Sequence, residues 1–233
     1  MAGVASRVER FSGFSDEAIQ FFLELQAEQS RAWFKAHQDD FMRVCRRPLE
    51  LLMFELHERL VDVYPTLSEV EPHFFRIQRD TRFSKDKAPY KTNFGAGIGP
   101  AGKKGGHESY YFHADAGGNL LVAGGVYMPD GPQLLRIRRA IADDTRRFEA
   151  IVKAPAFRRH FGGLNDEERL KNPPRGFDCD HPAMEWLKLK RFIAWSETPA
   201  SRLGGKNVAS HVADECKALH PLATWLRAAL DRP

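Results

Sequence analysis

Two periodicities divide the chain. Apolar positions recur at helical spacing from residue 16 to about residue 63, alternate from residue 75 to residue 127, and return to helical spacing after residue 130. Ser15 before Asp16 and Glu17 reads as an N-cap with acids in the first turn. With Ile19, Phe22 and Leu23 behind it, it predicts a helix over about 16–28. Ser30 predicts the cap of a second, short helix carrying Trp33 and Phe34. A stripe of Phe41, Val44, Cys45, Leu49, Leu52, Met53, Leu56 and Leu60 predicts a longer helix over about 39–63. Pro48 lies inside it and has no N–H to give, so a kink or break is expected at Arg47.

Over 75–84 one face would carry Phe75, Ile77, Arg79, Thr81 and Phe83, and the other Arg76, Gln78, Asp80, Arg82 and Ser84. That is strand alternation, and it puts Arg79 on the core side as a buried, paired guanidinium, with Arg76 and Arg82 more open. Further strands are expected over 93–99, 108–114 and 119–127, the last two joined by a turn at Asp115-Ala-Gly-Gly118. Asp130 with Pro132 starts a helix through Leu134, Ile137, Arg138 and Ile141, continuing in pieces to about Ala154. Phe157 and Phe161 mark another short helix, and Leu170–Phe177 a rigid extended loop. Asp180 should cap a helix holding Trp186 and Leu187; Arg191–Ser196 reads as a last strand, and Asn207–Leu230 as a C-terminal helix that Pro221 could break. Strands do not alternate with helices. The expected class is therefore α+β, an antiparallel β-meander packed with N-terminal, central and C-terminal helices.

Composition narrows the setting. Of 233 residues 42% are apolar and 28% charged, which excludes a disordered or collagen-like chain and suits a single domain over 1–233. The most apolar stretch, Leu120 to Met128, is far shorter than the roughly twenty residues a bilayer-spanning helix needs. Met1–Phe11 has no apolar core of a signal peptide, and the three cysteines, Cys45, Cys179 and Cys216, stand far apart. A reduced, cytoplasmic protein is expected, with no membrane partner.

The net charge of +4 is unevenly spread. Residues 1–72 hold 8 basic and 13 acidic side chains, whereas 76–104 hold 8 basic and 2 acidic, and 131–161 hold 8 basic and 3 acidic. Concentrated positive charge attracts anions even on a nearly neutral protein. The densest part is Arg79-Asp-Thr-Arg-Phe-Ser-Lys-Asp-Lys-Ala-Pro-Tyr-Lys-Thr92. Arginine forks can chelate carboxylate or phosphate and lysines act as point charges. The competing reading is an internal ion-pair network that pins a loop to the sheet. Candidate ligand-binding residues are Arg76, Arg79, Arg82, Lys85, Lys87 and Lys91, with Tyr90, Tyr111 or His113 to move protons.

Other signals fall away. Gly97-Ile-Gly-Pro-Ala-Gly102-Lys103-Lys104 approaches two phosphate-loop patterns, but no helix can open at Lys103-Lys-Gly-Gly106 and no hydroxyl follows Lys103. There is no HExxH, GxSxG or CxxC, so no metal site and no cofactor is expected.

Five segments together resemble one family. They are Arg31-Ala-Trp33-Phe34; Phe75-Arg76 through Tyr90-Lys91-Thr92; Tyr110-Tyr111; Gly124 through Pro129 with Ile137-Arg138; and Leu170-Lys through Phe177 to Asp180-His-Pro182. The chain is similar, from about Phe11 to Leu226, to an uncharacterised family of bacterial and fungal proteins, domain of unknown function 2461. The resemblance implies one domain and no particular activity, and the long Gly/Lys loop at 100–106 departs from it.

Three functions stay open. The first and preferred is a site for a small phosphorylated or carboxylated ligand, with enzymatic activity undecided. The second is nucleic-acid binding, with Tyr110, Tyr111 and Phe94 as stacking faces. The third is a structural or partner-binding module whose ion pairs only organise the fold.

Overall fold

A computed structural model describes residues 9–61, 64, 72–98, 110–199, 205 and 207–232. The expected elements appear in order. Helix α1 is Asp16–Ala27 and α2 is Arg31–Ala36, where the Ser30 hydroxyl accepts the Trp33 N–H at 3.1 Å. The long apolar stripe is split into α3, Gln38–Phe41, a π turn, Met42–Arg46, and α4, Arg47–Leu60. The break falls where Pro48 requires it: the Val44 carbonyl loses its donor four residues on, and the preceding turn widens. The π turn sets the Arg46 guanidinium 3.9 Å from the centre of the Phe74 ring.

The sheet is a meander in the order β1-β2-β3-β4-β5, with every neighbouring pair antiparallel. Its strands are β1, His73–Phe74; β2, Asn93–Ile98; β3, Tyr110–Asp115; β4, Leu120–Val126; and β5, Phe192–Thr198. The β3–β4 turn closes where expected: the Asp115 carboxylate accepts the Asn119 N–H at 2.9 Å, and Gly118 takes a φ of +76°. Helices α5, Gly131–Asp143, α6, Thr145–Val152, α7, Pro155–Phe161, and α8, Met184–Leu187, lie between β4 and β5; α9, Asn207–Leu230, follows. Asp130 and Gln133 form a reciprocal capping box at the start of α5.

Three expectations need correction. No strand of the sheet forms over 75–84: β1 ends at His73–Phe74, just before the expected segment. Beyond it Ile77 is buried, but Phe83, expected on the core side, is 94% exposed. The helix around Trp186 is a single turn preceded by Ala183, not capped by Asp180. Pro221 does not break α9: the Lys217 carbonyl that it leaves without an N–H instead accepts the Tyr64 hydroxyl at 3.5 Å.

Alternation gives the sheet two unlike faces. Phe94, Ala96, Tyr110, Phe112, Leu120 and Val122 are buried beneath the helices. Phe22 of α1 stacks on Phe94 with ring centres 5.4 Å apart, α4 lies against β2, and α9 runs along β4. Such burial is worth roughly 1.5–3 kcal/mol per large apolar side chain. At the end of this layer Glu215 of α9 is buried, its Oε1 accepting the Ser196 hydroxyl at 2.5 Å and its Oε2 without a partner. Burial pushes the Glu215 carboxyl up to about 7, against the weaker opposing effect of Ser196.

Two outcomes follow. Gly125 has a φ of +112°, and a Cβ there would strike the Phe192 carbonyl of β5. Gly125→Ala should cost about 1–3 kcal/mol and lower the melting temperature; an unchanged melting temperature would contradict the β4–β5 register. The second concerns Glu215. A carboxyl raised on folding contributes stability below the unfolded value, near 4.5, and loses it as pH rises through about 7. Glu215→Gln should therefore match the wild type near pH 4.5 and exceed it in melting temperature by a margin that grows towards pH 7, measured by thermal denaturation across that range.

Candidate functional site

The dense basic segment folds as a closed loop. The Arg79 N–H donates to the Pro89 carbonyl at 2.9 Å and the Lys91 N–H to the Ile77 carbonyl at 2.8 Å, with a bridge between Gln78 and Tyr90. Inside the loop the charges satisfy one another. Arg79, its side chain 30% exposed, pairs with Asp86, which also accepts the Ala88 N–H at 2.9 Å. Arg82 pairs with Asp80 at 2.7 Å, and its hydrogen bonds hold the Asp80 carboxyl down at about 2. The Lys87 ammonium donates to the Thr81 carbonyl at 2.9 Å. These local side-chain bonds compete with a strand ladder and explain why alternation stops after Ile77.

Arg79 is thus paired as expected but only partly buried. Tyr90 is buried, with its ring stacked on Phe34 at 4.5 Å and its N–H donated to Gln29 Oε1 at 3.1 Å. It is part of the core beneath the loop, not a neighbour of the exposed cations. Lys85 is exposed.

The remaining residues come together on the sheet face opposite the helices. On β3, Tyr111 and His113 project from this face, with the Tyr111 hydroxyl 3.1 Å from His113 Nδ1. The Phe75 ring lies 5.3 Å from Tyr111 and 5.5 Å from the Lys91 ammonium. Gly95, across from His113 in the register, makes this approach possible: a Cβ there would meet the His113 Cβ at 2.9 Å.

The electrostatics couple the members of the group, and the coupling among its cations is repulsive. Burial lowers the Lys91 pKa, and the nearby Arg76 guanidinium lowers it further. Burial also lowers the His113 imidazole; Asp115 opposes that and Lys91 adds to it. Among the described residues no carboxylate lies within ion-pair distance of Lys91 or Arg76. Two cations and an imidazole therefore share one small region without a directly paired carboxylate among the described residues; Asp80 acts on Arg76 and Asp115 on His113 only from beyond ion-pair distance. The arrangement can hold an anion and can pass a proton between Tyr111 and His113.

The structure thus gathers Arg76, Lys91, Tyr111 and His113, and separates from them Tyr90 and the internally paired Arg79, Arg82 and Lys87. Tyr110 and Phe94, expected as stacking faces, are buried on the helical side. Two residues of the open face went unnoticed in the sequence. Phe75 was assigned to the core, and Trp195 is 38% exposed on β5. The signal for Trp195 was present, since it alternates with Phe192, Ala194 and Ser196.

Other candidate features are weaker. Asp178, Cys179 and Asp180 bring ligand atoms within 4.8 Å of one another, but all three are exposed neighbours in one turn. Among the described residues no helix is long and apolar enough to cross a membrane. The Gly/Lys loop at 100–106, Lys103 and Lys104 included, lies outside the described residues.

No curated protein matches the chain. The family model described as conserved hypothetical protein (DUF2461) matches residues 17–225, most of the chain and all five strands. Its span takes in both the basic loop and the open sheet face, and the chain belongs to this family of domains of unknown function.

Proposed function

We propose that the protein binds a small anionic ligand, through a phosphate or carboxylate group, on the open face of the sheet between Arg76 and Lys91. The observation that carries this reading is the half-buried Lys91 ammonium. It has Arg76 and His113 as electrostatic neighbours and no carboxylate within ion-pair distance among the described residues. A buried charge is costly unless paired, so a site built this way favours an incoming anion. The Phe75 ring supports the ammonium from below, and the Tyr111–His113 pair offers a donor and a titratable group beside it.

This narrows the basic segment to a division of labour. Arg79, Arg82 and Lys87 hold the loop, while Arg76 and Lys91 hold the ligand. Polynucleotide binding on Tyr110 and Phe94 has no support, because both rings are buried.

Sulfate tests the reading, because its charge stays constant over the relevant pH range. At about ten times its Kd, sulfate should raise the wild-type melting temperature by about 3–6 °C. Lys91→Ala and Arg76→Ala should each remove most of that shift, whereas Arg82→Ala should keep it. The shift should be larger at about pH 5.5 than at about pH 8, because an anion favours the protonated His113 that folding disfavours. Equal loss in Arg82→Ala and Lys91→Ala, or a full shift in Lys91→Ala, would refute the assignment.

A further inference from the structure

We propose that Lys91 is an amine nucleophile that forms an imine with a small anion carrying an aldehyde or ketone carbonyl, while Arg76 holds the anionic group. The inference rests on the anion reading above and assigns that ligand a second functional group.

Geometry singles out this lysine. Its backbone N–H donates to the Ile77 carbonyl, which sets Lys91 across the loop neck from Phe75, Arg76 and Ile77. Lys91 is half-buried, with its nitrogen 5.5 Å from the centre of the Phe75 ring. No carboxylate lies within ion-pair distance of it among the described residues. Other lysines are tied to acceptors: Lys87 to the Thr81 carbonyl at 2.9 Å, Lys153 to Glu149 at 2.9 Å and Lys217 to Asp214 at 3.3 Å. Such partners favour the protonated amine, which has no lone pair to give.

The two cations of the site suit different tasks. A guanidinium keeps its charge and grips an oxyanion with paired N–H donors. Arg76 is exposed and does this at the mouth of the site. An amine loses its proton more easily where water is kept from it and a second positive charge stands near. Both conditions hold at Lys91, where burial and then the Arg76 guanidinium lower the pKa. An anion held by Arg76 brings its own carbonyl towards the Lys91 nitrogen, so binding and bond formation are linked.

The step needs no co-reactant. The Lys91 ammonium gives one proton to the His113 imidazole, with which it already interacts electrostatically. The freed lone pair attacks the carbonyl carbon and forms the C–N bond. The C–O bond then breaks, and the oxygen leaves as water with two protons, one from the nitrogen and one returned by His113. The product is a protonated imine with the charge of the starting ammonium. The Tyr111 hydroxyl, 3.1 Å from His113 Nδ1, orients the imidazole for this relay.

Reductive trapping on the full chain tests the proposal. Pyruvate or dihydroxyacetone phosphate is added with cyanoborohydride, which converts an imine into a stable secondary amine that peptide mass mapping locates. Lys91 should carry about tenfold or more adduct than the exposed Lys85, because the bound anion holds the carbonyl near the nitrogen. Excess sulfate should suppress the adduct at Lys91 and leave that at Lys85 unchanged, and Arg76→Ala should remove most of the excess at Lys91. Preference for pyruvate assigns the anionic group as a carboxylate and preference for dihydroxyacetone phosphate as a phosphate; either supports the proposal. Equal labelling of Lys91 and Lys85, with the sulfate-induced rise in melting temperature intact, would overturn the imine and leave the anion site standing. Selective labelling that neither sulfate nor Arg76→Ala diminishes would overturn the role given to Arg76. Absence of both the sulfate effect and selective labelling would overturn both readings.

Discussion

Strand β3 sends Tyr110, Phe112 and Ala114 into the helical layer and leaves Tyr111, His113 and Asp115 on the opposite face. A slip of one residue would exchange the two sets entirely. The register is held from the buried side. The Tyr110 hydroxyl lies 2.9 Å from His220 Nδ1, the His220 Nε2 lies 3.1 Å from the Thr224 hydroxyl, and the Tyr64 ring stacks on the imidazole. Burial, and then the positive charge of Arg227, lower the His220 pKa to about 4, so the ring stays neutral at pH 7 and can bond on both sides. This polar anchor inside an apolar layer fits one register only. The open-face cluster of Tyr111, His113 and Phe75 is its consequence.

The basic loop contributes in a different way. Exposed ion pairs are worth about 0–1 kcal/mol each, so Arg82–Asp80 and Arg79–Asp86 are poor sources of stability. Their value is in shape. Carboxylates that bond backbone N–H groups two residues on make tight local turns, and Lys87 closes the loop over the Thr81 carbonyl. The neck of the loop, between Ile77 and Lys91, then delivers Lys91 to the Phe75 ring. Charges that look alike in the sequence thus divide into those that build the loop and those left without a partner.

Much of the fold was legible because it rests on local chemistry. Ser30, Pro48, Asp115 and Asp130 each act within a few residues of themselves, and the elements they punctuate fall where expected. Alternation holds along β3 and puts Tyr110 and Tyr111, both named as stacking faces, on opposite sides of the sheet. It failed beyond Ile77, because Asp80, Asp86 and Lys87 offered the backbone partners closer than a neighbouring strand. The candidate site was half legible. Arg76, Lys91, Tyr111 and His113 were named, but nothing local shows that Asp86 will neutralise Arg79, or that Tyr90 will be buried against Phe34 from α2. Trp195 was missed for a related reason: its place on the open face, across Ala123 from Tyr111, depends on β5 joining β4 after a long helical excursion.

On the proposed reading an anion completes the half-buried Lys91 ammonium, with the His113 imidazole beside it. The most direct measurement is a side-chain NMR titration of His113 in the free protein and in saturating sulfate. The account predicts an apparent pKa below the ordinary value of 6.5 in the free protein and a clear rise when sulfate is bound. A His113 pKa that sulfate leaves unchanged would contradict it.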